Sequence, residues 1–263
     1  MGVKFLVKKT VTPDPGYIIP YSANVADESS GRLVTGWSEG ISSPSQFTLS
    51  LWFNQSDDSY DSGTVYLLET YMVTFGYSYW VTLDTGAISV RDFRGFSKNY
   101  TKTTNQVFSK SSGWHHLCIT VDTSNGTSDD RFILTLDGTR ITSFAFDSGD
   151  YPFNYDETIF ITEPVSAQAT NTYIFNNQSN GAPLNGSIAE LHAVYDSAPT
   201  ATDFGEFNEG SLWVPKEYTG SHGDYGYYLD FSNNSDLGED QSGNDIDFLS
   251  EGTITRSTDT PTS

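Results

Sequence analysis

One dipeptide constrains this chain more than any other. Asp137-Gly138 lies between two short runs that read as strands. Asp-Gly supplies the two central residues that a type I′ turn needs at positive φ, so it predicts a tight hairpin. Arg131 to Leu136 leads in and Thr139 to Phe146 leads out. Upstream, Trp114 to Asp122 sends Leu117, Ile119 and Val121 to one face and Trp114, His116, Cys118 and Thr120 to the other. Side chains alternate across a strand, so this is a strand with an apolar side. With the polar loop Thr123 to Asp130, the stretch from Ser112 to Phe146 reads as three consecutive antiparallel strands.

The same signature recurs along the chain. Phe47 to Phe53 places Phe47, Leu49, Leu51 and Phe53 on one face, and Val65 to Leu68, Met72 to Phe75, Tyr79 to Leu83 and Ala87 to Val90 follow as short strands. Ile159 to Thr162, Tyr173 to Phe175, Gly186 to Tyr195 and Tyr227 to Phe231 continue the series, while Lys98 to Ser112 reads as a polar spacer. Many short strands between turn residues predict a sandwich. One helix is expected, Thr200 to Phe207: Thr200 and Asp203 have capping-box spacing, Phe204 and Phe207 share a face, and Gly210 is a stop. The expected division is an N-terminal arm (1–28) rich in Pro and Lys, one β-domain (29–250), and a polar, coil-like tail (251–263).

Charge narrows the function classes. With 13 basic residues against 34 acidic ones, a net charge of −21 leaves no basic stripe for nucleic acid. The first residues carry an apolar run of only three before Lys8-Lys9, so neither a signal peptide nor a membrane span is expected. Cys118, the single cysteine, has no intrachain partner and sits in a strand, as a small buried hydrophobe would.

The chemistry-bearing residues do not assemble into a catalytic motif. No Glu-x-Asp-x-x-Glu strand is present to set two carboxylates on one face for glycoside hydrolysis, and His115, His116, His192 and His222 have no zinc spacing or nucleophile. No catalytic residue and no required cofactor are therefore expected. Calcium is the one metal with candidate ligands, Asp236, Asp240 and Asn244, although these residue types also build Asx turns. For a glycan, the candidate stacking aromatics are Tyr79 and Trp80, with Tyr151 and Tyr155 in the run DYPFNYD; core packing is the competing role.

The W-x-H strand at Trp114 to His116 and the strand ending in Asp137-Gly138 resemble the laminin-G-like branch of the concanavalin A-like jelly rolls. The wider order of pieces is similar to laminin-G-like virion proteins of tailed bacteriophages. It comprises Glu28 to Leu33, Phe47 to Phe53, Trp114 to His116, Asp130-Arg131, Gly186 to Glu190 and Thr200 to Glu206. It continues with Trp213 to Lys216, Tyr225 to Phe231, Asp240 to Asn244 and Asp259 to Thr262. One departure is Asp245, where such proteins commonly have Gly. The resemblance implies an all-β, two-sheet antiparallel jelly-roll sandwich with one short helix. It further implies a non-enzymatic virion structural protein (fibre, spike or capsid decoration) displaying a lectin-like domain. Such a component is assembled in the host cytoplasm, homo-oligomeric, and held to other virion proteins through its arm. The alternative is a glycan-binding receptor or adhesion module for host surface polysaccharide; an enzyme acting on polysaccharide is the third role.

Overall fold

The computed structural model describes residues 16–26, 31–37, 45–56, 63–72, 77–93, 99–108, 112–148 and 170–263. Numbered along the chain, the first strands are β1 Ser22–Val25, β2 Arg32–Trp37, β3 Gln46–Gln55, β4 Thr64–Met72, β5 Tyr77–Asp84 and β6 Ala87–Phe93. Next come β7 Asn99–Val107, β8 His115–Asp122, β9 Phe132–Leu136, β10 Thr139–Arg140, β11 Phe144–Ser148 and β12 Thr170–Ile174. After β13 Gly186–Tyr195 and the helix α1 Ala201–Phe204 come β14 Gly205–Phe207, β15 Trp213–Pro215, β16 Tyr227–Leu229, β17 Leu249–Glu251 and β18 Thr255–Ser257.

These form the antiparallel two-sheet jelly roll expected. The first sheet runs β10-β9-β8-β3-β13-β1-β18, with β16 also on β13; the second runs β11-β7-β6-β5-β4-β12-β2-β17. A small β14–β15 hairpin stands apart. Phe47, Leu49, Leu51 and Phe53 of β3 join Leu117, Ile119 and Val121 of β8 in the buried core, against Tyr79, Val81 and Leu83 of β5. Each such side chain contributes about 1.5–3 kcal/mol by leaving water. The Asp137-Gly138 turn has φ of 45° and 72° and joins Leu136 to its cross-strand partner Thr139, as a two-residue type I′ hairpin requires.

Several expected boundaries change. Thr139 to Phe146 is not one strand: only Thr139 and Arg140 pair with β9, after which the chain crosses to the second sheet and Phe144–Ser148 pairs with β7. The polar spacer contains a strand of its own, β7, whose threonines and Tyr100 pair with β6. Val65–Leu68 belongs to a strand that continues to Met72 through a bulge opposite Val81; residues 73–75 and 159–162 lie outside the described residues. The helix stops at Phe204, and its capping box is present. Phe207 then belongs to β14 and is exposed, so it does not share a face with the buried Phe204. Gly205 ends the helix because the chain must pass under the Trp213 ring, 2.5 Å from where a Cβ would sit.

Both ends of the described chain enter the sandwich. Ala23 pairs with Ile188 on one side and Arg256 on the other, and Ser250 pairs with Leu33. The tail is thus not coil: Thr255–Ser257 and Glu251 extend one sheet each. Ile19 and Thr262 exchange hydrogen bonds of 3.1 and 3.0 Å, tying the start of the described chain to its end.

Candidate functional site

The outer face of the second sheet holds a groove of about 600 Å³. Strand alternation decides what lines it. In β5, Tyr79, Val81 and Leu83 point to the core, so Trp80, Thr82 and Asp84 point out; in β6, Ile88 and Val90 point in, so Ser89 and Arg91 point out. Cross-strand register then stacks these residues into two rows. One runs Tyr66–Thr82–Ser89–Thr103–Phe146, three hydroxyls between two aromatics. The other runs Glu69–Trp80–Arg91–Thr101–Ser148. Neighbouring strands are about 4.8 Å apart, so each row spans roughly 19 Å.

Trp80 and Arg91 form the centre of the groove. The Arg91 guanidinium carbon lies 4.8 Å from the Trp80 ring centroid and 5.4 Å from that of Phe93. Tyr66 meets Trp80 edge-on at 5.9 Å. Glu69 is buried beside them and takes the Gln178 N–H at 2.6 Å. Burial raises its carboxyl pKa above the usual range, while the nearby donors and Arg32 pull it down. The Trp80 indole N–H lies toward Glu69 without closing a hydrogen bond. Phe146, 53% exposed, closes one end.

The aromatic candidates therefore separate. Trp80 lines the groove. Tyr79, its neighbour, is 0% exposed and packs in the core, where it cannot stack on a ligand; burial drives its hydroxyl pKa far upward. Tyr151 and Tyr155 lie outside the described residues. Tyr66, Arg91 and Phe146 were not legible as site residues, because their place depends on register across bulges.

Asp236, Asp240 and Asn244 serve the turns of the C-terminal loop. Asp240 accepts the N–H groups of Tyr228, Ser242 and Ile246 at 2.8, 2.9 and 3.1 Å, and the Ser242 hydroxyl at 2.7 Å. Asp236 accepts the Gly238 N–H at 3.2 Å, and the Asn244 amide donates to the carbonyls of Gly223 and Gly226 at 2.6 and 2.8 Å. Among the described residues no three His, Cys, Asp or Glu side chains stand together as a metal set. Asp245 has φ of 56°, the region glycine favours.

A second polar cluster sits on the outer face of the first sheet, and it is closed. Glu190, on a bulge of β13 with φ of 46°, accepts Tyr228 Oη at 2.8 and 3.0 Å and Tyr17 Oη at 3.1 Å, and its Oε2 lies 3.3 Å from His192 Nε2. Burial and the Glu190 charge push both tyrosine pKa values up. His192 stacks on Tyr228 at 4.2 Å and on His222 at 5.4 Å; burial lowers His222 to about 4. The space between Tyr17, Ser50, Trp52, Glu190, His192 and Phe204 is too small for a water molecule.

His116 and Ser50, 2.8 Å apart, resemble a base and nucleophile but cannot act as one. Trp213 donates its indole N–H to His116 Nδ1 at 3.1 Å. A neutral imidazole with Nδ1 as acceptor carries its proton on Nε2, so Nε2 donates to the serine rather than taking its proton. Full burial keeps the ring neutral by lowering its pKa to about 3. The thiol of Cys118 is likewise pushed up to about 12 by burial.

No protein-family model matches the chain, and no curated protein matches it. Among solved structures it is similar to the heptameric SAP-like pentraxin of Limulus polyphemus, with a TM-score of 0.48 and 11% identity over 90% of this chain and 94% of that one. It is also similar to domains LG4-5 of the mouse laminin alpha1 chain, with a TM-score of 0.43 and 10% identity over 79% of this chain and 46% of that one. The CBM40 of Ruminococcus gnavus IT-sialidase, bound to alpha2,3 sialyllactose, gives a TM-score of 0.43 and 14% identity over 61% of this chain and 81% of that one.

Proposed function

We propose that this protein is a non-enzymatic glycan-binding module whose ligand lies in the groove on the outer face of the second sheet. The observation that carries the reading is the pairing of Trp80 and Arg91 on a face lined mostly by hydroxyl side chains, with Asp84, Asn99 and Phe146 among them. A sugar ring offers an apolar C–H face and a rim of hydroxyls. Aromatic surface beside short polar side chains on rigid strands matches both. The groove is open and shallow enough to run several sugar units across the strands. The protonation state of His116 argues against a hydrolytic Ser–His pair, and the carboxylates of the C-terminal loop are spent on backbone N–H groups.

The ordered sequence segments shared with laminin-G-like phage proteins support placing this module on a virion, assembled in the host cytoplasm and facing host surface polysaccharide. In that setting the chain ahead of Ile19, rather than the whole expected arm 1–28, would contact other virion proteins, because Ile19 to Val25 is built into the sandwich, and a homo-oligomer would multiply weak single-site binding.

A glycan array combined with a reducing-sugar assay tests the reading. Binding without release of reducing ends is expected. Release of reducing ends would show an enzyme, and no binding to any glycan would leave only a structural role. Imaging the assembled particle tests the virion placement.

A further inference from the structure

Arginine is scarce in this acidic chain, and the described arginines are otherwise all engaged. Arg32 donates to Glu251 and to the carbonyls of Asn177 and Gln178. Arg131 donates to the carbonyl of Asn125. Arg140 pairs with Asp130, and Arg256 donates to the carbonyl of Ser232. Arg91 alone among them has no hydrogen bond or ion pair to any described residue, and its Nε is buried without an acceptor.

With 34 acidic residues against 13 basic ones, a cation without a carboxylate partner among the described residues is unexpected on composition alone. It is also not on a loose surface. The guanidinium is held against Trp80 and Phe93 in the middle strands of a sheet. Its immediate neighbours in the row, Trp80 and Thr101, bring no negative charge; Glu69, beyond Trp80, accepts the Gln178 N–H, and Asp84 on the groove lining accepts the Thr64 hydroxyl. Buried donors in folded proteins are ordinarily satisfied, and one that is not calls for an explanation, which at the wall of a groove an acceptor on a ligand supplies. The guanidinium fork matches the two oxygens of a carboxylate or sulfate, and aromatic stacking fixes its plane beforehand.

We propose that Arg91 is the specificity residue of the groove and that the ligand is an anionic glycan, its acidic group on Arg91, one sugar ring on Trp80 and another, three strands away, on Phe146. The inference rests on the glycan-binding reading and names the chemical class of the sugar.

Titration of the full chain with polygalacturonate, dextran sulfate and neutral dextran tests it. Ionic strength near 0.15 M screens the repulsion from the net charge of −21 beyond about 8 Å. At least one anionic polymer is expected to bind ten or more times tighter than dextran, and the preferred one identifies the group as carboxylate or sulfate. Arg91→Gln should erase that preference at an unchanged melting temperature. Arg91→Lys, which keeps the charge without the fork, should recover part of it. Equal binding of all three polymers, or an Arg91→Gln variant with the preference intact, overturns the inference and leaves glycan binding standing. Failure to bind these polymers or any arrayed glycan overturns both.

Discussion

Trp213 donates its indole N–H to Nδ1 of His116 at 3.1 Å, and the two rings stack with centroids 5.8 Å apart. This contact joins the β14–β15 hairpin to β8 of the first sheet and fixes the imidazole as neutral, with its proton on Nε2.

A pH dependence follows. The folded-state pKa of His116 is lowered to about 3 and that of His222 to about 4, both chiefly by desolvation. In the unfolded chain histidine titrates near 6.5. As pH falls below about 6.5 the unfolded state takes up protons that the folded state refuses, so this stability is present above 6.5 and is lost progressively toward 3 to 4. Thermal melts should show a falling melting temperature over that window. NMR titration of the imidazoles should show His116 still neutral at pH 5; a midpoint near 6.5 would contradict its burial.

The hairpin turn makes a sharper demand. A Cβ on Gly138 would lie 2.2 Å from the Trp213 ring, at a φ of 72°. Gly138→Ala therefore adds a clash to the roughly 1–2 kcal/mol cost of a left-handed conformation in an L-residue. The melting temperature should fall by at least about 4 °C. A stability equal to wild type would show that Trp213 can move away freely.

Residues after the hairpin complete the core. Tyr227, Leu229, Phe231 and Phe248 are all 2% exposed or less, and β16 pairs with β13. Their burial contributes about 1.5–3 kcal/mol each, comparable together with the net stability of a domain. A chain ending at Gly220 should be insoluble or molten. Cooperative unfolding at an unchanged temperature would mean that this segment adds nothing to the sandwich.

Alternation made the core faces of β3, β8 and β16 legible, because each is a single strand with apolar residues two apart. It could also have separated Tyr79 from Trp80, since adjacent residues in a strand face opposite ways. The groove was harder to read. Arg91 meets Trp80 only because β5 and β6 are joined by the Thr85-Gly86 turn in this register, and Thr103 and Phe146 reach the same row only after bulges in β7 and β11. A bulge shifts which residues share a face without changing composition. Glu190 was hidden for the same reason: the bulge in β13 turns its carboxylate toward Tyr17 and Tyr228, far away in sequence. The split of Thr139 to Phe146 between two sheets left no local signal, because both halves are extended chain.

The central claim is that Trp80 and the face around it hold the sugar. The most direct measurement is a calorimetric titration of wild type and Trp80→Ala with a glycan retained on the array. Phe207→Ser, on the distant β14 hairpin, serves as the control. Removing a central aromatic anchor costs about 1–2 kcal/mol or more, so Trp80→Ala should weaken binding about tenfold or more while Phe207→Ser leaves it unchanged. Equal affinity of wild type and a folded Trp80→Ala variant would contradict the account and place the ligand elsewhere on the molecule.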